Sequence, residues 1–184
     1  MFVKESRWII SVLDKYAKAE TLKTAIDVGS GGSKYLRKPQ NKSIYSYLTG
    51  KGIIISTLDN GSREATYKCD ITKDLPQNLR SCQFDLVLCT SLLEHVTGIE
   101  ETAGNLLKLL KSPEGYLLVT VPRSFPHHPR PIDNGYRPTN KELERLFPNL
   151  CVLYSETFEA DRDKPLHEII CRSLPVVSGV LFRS

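Results

Sequence analysis

Several things are missing from this sequence, and each absence removes a class of protein. No apolar stretch approaches the roughly 20 residues that a membrane-spanning helix needs. Lys4, Glu5 and Arg7 put charges where a signal peptide would have an apolar core. The five cysteines (Cys69, Cys82, Cys89, Cys151, Cys171) are odd in number and form no C-x-x-C pair. Several sit in apolar runs, which predicts free buried thiols rather than disulfides or zinc ligands, and a reducing cytoplasm. The histidines show no metal-ligand spacing, so no metal is expected. An excess of one charge sign is also lacking, with 25 basic and 21 acidic residues and a net charge of +4. Neither nucleic acid nor a membrane is an expected partner; a small molecule is, and the oligomeric state is left open. No repeat, low-complexity tract or linker divides the 184 residues, so one domain, 1–184, is expected.

What is present centres on Thr24-Ala25-Ile26-Asp27-Val28-Gly29-Ser30-Gly31-Gly32-Ser33. A short buried strand runs into a glycine turn. A carboxylate at the end of such a strand is costly without a partner, and beside a turn that lets backbone approach closely it suits a ligand with hydroxyls or a cationic group. A dinucleotide site would want a third glycine, and Lys34 stands there instead. A purely structural turn is the competing reading.

Around this centre, residues 4–18, within a leading segment 1–20, read as an amphipathic helix that covers one sheet face or helps to roof a pocket. Residues 33–36 open a helix that Pro39 interrupts, and 43–49 form a second helical piece. Predicted strands follow at 53–58, 65–69, 84–89, 116–121, 150–158 and 168–174, with helices at 102–111 and 140–147, the latter capped by Thr139 and Glu142. The tail 176–184 receives no assignment. Strand, helix and strand in alternation predict an α/β fold: a Rossmann-like, mostly parallel, seven-stranded sheet with helices on both faces and an antiparallel last strand. Asp59 falls at the carboxyl end of the second strand, where ligands of open parallel sheets lie. A carboxylate there can accept two hydrogen bonds from a ribose diol; Asp59-Asn60-Gly61 also reads as a plain turn.

Two segments resemble a known family. The glycine turn, in the pattern D-x-G-x-G-G, resembles motif I of class I S-adenosylmethionine-dependent methyltransferases. Phe84 to Val96 resembles the F-D-x-V-x-x-x-x-x-L-E-H-V segment of the type 11-like group of these enzymes. The resemblance covers roughly residues 25–147. It implies a transferase that uses S-adenosyl-L-methionine, with cofactor contacts at Asp27, Gly29, Ser30, Gly31, Asp59, Asn60, Asp70, Ile71, Cys89 and Thr90. Asp70 would bind the adenine amine and Ile71 pack on the ring. The proline-rich loop 122–138 resembles the pocket-covering loop of relatives that act on sugars and secondary metabolites, but has Asn134-Gly135-Tyr136 where they tend to have two aromatics. A hydroxyl acceptor must lose a proton, and His95, His127 and His128 are the candidate bases. A structural ring (His95) and solvent exposure (His127, His128) are the competing roles. Tyr136 and Arg137 are candidate acceptor contacts, since an aromatic face and a guanidinium suit a planar or anionic substrate. Glu94 is expected to cap the helix that follows. A non-catalytic module of the same fold and a nicotinamide-dependent enzyme are the alternatives.

Overall fold

The structure, a computed structural model, describes residues 2–31, 39–128, 132–160 and 175–184. Six strands form one sheet in the order β2-β1-β3-β4-β6-β5. They are β1 (Thr24–Val28), β2 (Ile54–Leu58), β3 (Leu86–Thr90), β4 (Tyr116–Ser124), β5 (Cys151–Glu159) and β6 (Val176–Arg183). The first four run parallel, and β6 lies antiparallel between β4 and β5. β1, β3 and the first seven residues of β4 are buried almost throughout, as strands covered on both faces must be.

Two apolar clusters sandwich the sheet. On one face α1 (Val3–Tyr16) presents Ile9, Val12 and Leu13, and α2 (Pro39–Gly50) presents Ile44 and Leu48. On the other, Leu106 and Leu109 of α4 (Ile99–Leu109) and Leu143 of α5 (Asn140–Leu146) pack with Leu79 of the one-turn α3 (Gln77–Arg80). The predicted Thr139–Glu142 capping box at the start of α5 is present, Thr139 Oγ1 accepting from the Glu142 amide.

The structure corrects the predicted elements at several points. The tail is β6, an interior strand paired on both edges. The strand predicted at 65–69 reduces to one bridge between Tyr67 and Leu58. There Tyr67 makes two backbone bonds, to Thr57 and Asp59, and the Thr57 and Thr66 hydroxyls accept from each other's backbone N–H groups at 3.0 and 3.1 Å where the ladder would continue. β4 continues through Pro122 to Ser124, with its register to β6 shifting between Pro122 and Ser124, a position where a missing N–H is tolerated. The helix expected at 43–49 is longer: α2 begins at Pro39, since proline fits the first helical position. The predicted strand at 168–174 and helix at 33–36 lie outside the described residues.

Candidate active site

From β1 the chain goes first to β2 on one side and later to β3 on the other. The strand order therefore reverses between β1 and β3, and open α/β sheets bind ligands in the crevice at that switch point. Asp27, Gly29, Ser30 and Gly31 leave β1 there, and Cys89 and Thr90 end β3.

The β1 side is built mainly from local backbone. Gly29 (φ +78°) and Gly31 (φ +69°) are left-handed, a conformation that costs a side chain free energy. A Cβ on Gly29 would stand 2.6 Å from Leu92 Cδ1, so the turn lies directly against the segment that leaves β3. Asp59 organises the turn expected at Asp59-Asn60-Gly61 and ties it to the glycine turn. Its Oδ1 accepts from the Gly61 and Ser62 amides, both at 2.8 Å, and its Oδ2 accepts from the Gly31 amide at 2.9 Å. Asn60 is exposed in the same turn, and Ser30 is buried. The buried Asp27 accepts from the Tyr45 hydroxyl at 2.5 Å. Burial pushes its carboxyl up to about 6; the Tyr45 bond opposes this and the Asp59 charge adds to it. Tyr45 was not foreseen, and nothing near it in sequence marks it.

Asp70 and Ile71 sit in a turn rather than at a strand end. Asp70 Oδ1 accepts from the Thr72 hydroxyl (2.7 Å) and amide (3.0 Å), which holds the carboxyl below its usual value. The Ile71 and Lys73 carbonyls both accept from Asn105 Nδ2 at 2.7 Å. Asn105 also escaped the sequence reading, although a signal existed: it shares the apolar face of α4 with Leu106 and Leu109, and a buried amide must have partners.

The β3–β4 side is assembled over longer distances. Burial, with the charges of Glu94 and Asp27, pushes the Cys89 thiol up, which removes it as a nucleophile. Ser91, just after β3, is a non-glycine at φ +49°. Its hydroxyl (3.3 Å) and that of Thr120 (2.6 Å) donate to Oε1 of the buried Glu5, which reaches in from α1. The leading helix covers one sheet face, as expected, and Glu5 in its first turn reaches Ser91 after β3 and Thr120 in β4. Glu94 does not cap α4, whose N-cap is Gly98. It is buried in a 3-10 turn, Leu93–His95, with Oε1 3.7 Å from His95 Nε2 and Oε2 lacking any hydrogen-bond partner. Burial and the Glu5 charge push its carboxyl up to about 8.

The loop that follows β4 is fastened onto this turn. Asn134 Nδ2 donates to the Leu93 (2.8 Å) and Val96 (2.5 Å) carbonyls, and its amide donates to the Glu94 carbonyl at 2.9 Å. His95 Nδ1 lies 2.7 Å from the Ile132 carbonyl. A carbonyl can only accept, so this contact assigns the proton to Nδ1 and leaves the Nε2 lone pair open. Burial lowers the His95 pKa and favours the neutral ring. The His128 ring lies beside it, tilted by 55°, with ring centroids 5.2 Å apart. Asp133, whose carboxylate is fully buried, gathers the rest: Arg137 Nη2 at 2.7 Å, His127 at 3.6 Å and His128 at 3.8 Å. His127 is largely exposed. Arg137 also donates to the Tyr136 carbonyl at 3.0 Å, so its guanidinium binds the loop to itself, while Tyr136 packs half-buried against the core. Asp133 was missed as the organiser of this loop. Cys69, Cys82, Cys89 and Cys151 are free thiols. No helix among the described residues is long and apolar enough to cross a membrane.

No protein-family model and no curated protein matches the sequence. Solved structures do match the fold. A mitomycin 7-O-methyltransferase is 14% identical with a TM-score of 0.59, covering 99% of this chain, which spans only 54% of that enzyme. A coclaurine N-methyltransferase bound to N-methylheliamine and S-adenosylhomocysteine is 13% identical, TM-score 0.61, over 98% of this chain and 71% of its own. A putative methyltransferase from Haloferax volcanii, solved with the Trm112 methyltransferase activator, is 18% identical, TM-score 0.63, over 98% and 91%. Identities this low speak to architecture alone: the chain has the fold of class I S-adenosylmethionine-dependent methyltransferases.

Proposed function

We propose that this protein is a cytoplasmic methyltransferase that takes S-adenosylmethionine as donor and a small molecule as acceptor. The observation that carries this reading is the character of the switch-point rim. Asp27 and Asp59 stand at it, the charge of Asp59 felt by Asp27, and the Gly31 amide, which a pyrophosphate would need, already donates to Asp59. Such a rim repels phosphates and suits a cofactor that offers donors and positive charge. Asp27 and the glycine turn would hold the amino acid part, Asp59 the ribose diol, and Asp70 with Ile71 the adenine. The same argument disfavours a nicotinamide dinucleotide.

When bound, the cofactor supplies a methyl group made electrophilic by its sulfonium. The chain's part is to hold the two reactants in line and to remove a proton from the acceptor where one must leave. His95 is the base we favour, because its Nδ1 is spent on the Ile132 carbonyl and its Nε2 lone pair is open. Titration calorimetry with S-adenosylmethionine and with S-adenosylhomocysteine tests the reading. Micromolar binding of both is expected. Asp27→Ala and Asp59→Ala should each weaken it by about 1–3 kcal/mol, the value of a hydrogen bond to a charged group. Unchanged affinity in both variants would end the site assignment.

One observation favours a second reading, a non-catalytic module. Asp27 and Asp59 already have protein donors, Tyr45 and three backbone amides. Tight cofactor binding with no turnover across an acceptor panel would favour it.

A further inference from the structure

Every buried acid near the switch point has its partners except one. Asp27 has Tyr45, Asp133 has Arg137, and Glu5 has Thr120, Ser91 and the Phe2 amide. Among the described residues Glu94 Oε2 is the buried side-chain oxygen with no hydrogen-bond partner. The side chain of Glu94 is only 3% exposed. A carboxylate so placed is expensive unless something pairs with it, and the second buried acid, Glu5, makes the pocket more negative rather than less. Glu94 lies in the 3-10 turn that follows β3, beside His95, whose open Nε2 is on the same turn. It is therefore on the β3 side of the crevice, away from the acids assigned to ribose and adenine. The loop fastened to its backbone carries apolar surface, with Ile132 64% exposed and Tyr136 half-buried.

We propose that Glu94 is the recognition site for a cationic amine on the methyl acceptor, and that the substrate class is an amine with an apolar, aromatic-sized body. An ammonium supplies three donors and the opposite charge. It would satisfy Oε2 and offset the repulsion between Glu94 and Glu5. An alcohol can donate once and leaves that repulsion in place.

This proposal rests on the cofactor reading above, so its test is run with the cofactor product bound. Phenethylamine and 2-phenylethanol have the same body and differ in the recognised group. Their affinities would be measured by calorimetry with S-adenosylhomocysteine saturating. The amine is expected to bind at least about tenfold more tightly than the alcohol. Its affinity should rise with pH up to about 8, with a proton released on binding, because the free Glu94 carboxyl is pushed up to about 8 and must ionise to pair. The groups that face it and set this titration are Glu5 from α1, Cys89 from β3, His95 on its own turn and Arg137 from the loop. Glu94→Gln should remove both the amine preference and the pH slope while leaving S-adenosylhomocysteine affinity unchanged. Equal binding of the two probes, or binding of neither, would overturn the proposal. So would a preference that survives Glu94→Gln. Should that variant not fold, the slope and proton release of the wild-type protein decide alone. Failure of S-adenosylhomocysteine itself to bind would instead strike the cofactor reading.

Discussion

The two sides of the crevice are made differently. On the β1 side the polar groups close on themselves: two left-handed glycines shape the turn, and the Asp59 carboxylate takes three backbone amides, two of them from its own turn. On the β3 side order comes from contacts across 37 to 41 residues, His95 to Ile132 and Asn134 to Leu93 and Val96, and two buried atoms, Glu94 Oε2 and His128 Nδ1, stay without partners. A site for an invariant cofactor can be finished in advance. A site for a variable acceptor keeps groups that a ligand completes. The difference also locates where damage should be felt: stability on the loop side, ligand affinity on the glycine side.

Asp133→Ala should give the largest effect. It removes a fully buried carboxylate and strands Arg137, 17% exposed, together with the His128 and Gly135 amides. Breaking a buried ion pair in this way costs about 3–5 kcal/mol, read as a shift of the urea midpoint. The same carboxylate sets an acid limit. Arg137 and the two amides hold its pKa well below the usual carboxylate value. Its contribution is therefore fully present above about pH 4 and is lost as pH falls below that toward the depressed value. Cofactor affinity should barely change. If Asp133→Ala weakened S-adenosylhomocysteine as much as it weakened the fold, the two sides would not be separable.

Gly29→Ala and Gly135→Ala sharpen the contrast at equal backbone geometry. Their φ values are +78° and +76°. Each substitution should cost about 1–3 kcal/mol in backbone strain. A Cβ at Gly135 meets nothing within 4 Å, whereas at Gly29 it meets Leu92. Gly29→Ala should therefore be the more destabilising in a urea titration, and it alone should weaken cofactor binding. Equal losses would mean that Leu92 yields without cost.

The same division explains what could be read in advance. The β1 side is legible because its signals are local: an apolar run, an acid out of place, glycines at fixed spacing. β6 was not, because the tail 176–184 is short and only partly apolar, with Ser178-Gly179 in its middle. In the fold Ser178 Oγ donates to the Pro138 carbonyl at 2.9 Å, and a Cβ on Gly179 would lie 2.4 Å from Trp8 Cη2, so both residues are there for packing. Asn134 stood out as a departure from the family's aromatics. Its bonds to Leu93 and Val96 give it a positive function that only tertiary contact reveals. Glu94 was visible as a letter in a motif, but its burial, and hence its chemistry, was not.

Tyr45→Phe is the smallest change and tests whether the β1 side is finished in advance. Removing the hydroxyl takes away the donor that lowers the Asp27 pKa, so the carboxyl should titrate above its present value of about 6. Because that pKa is already raised, the folded protein binds an extra proton between the ordinary carboxylate value, near 4, and about 6. Stability falls as pH rises through that window, and the variant should extend the window upward. An ammonium needs Asp27 ionised, so S-adenosylhomocysteine affinity should drop as pH falls through about 6 in the wild type and at a higher pH in Tyr45→Phe. Near pH 8 the two proteins should bind within a few-fold of each other. Calorimetry across this range reads the displacement directly. Superimposable curves would mean that Tyr45 fills space beside Asp27 without setting its charge, and the closed network of the β1 side would then reduce to Asp59 and the glycine turn.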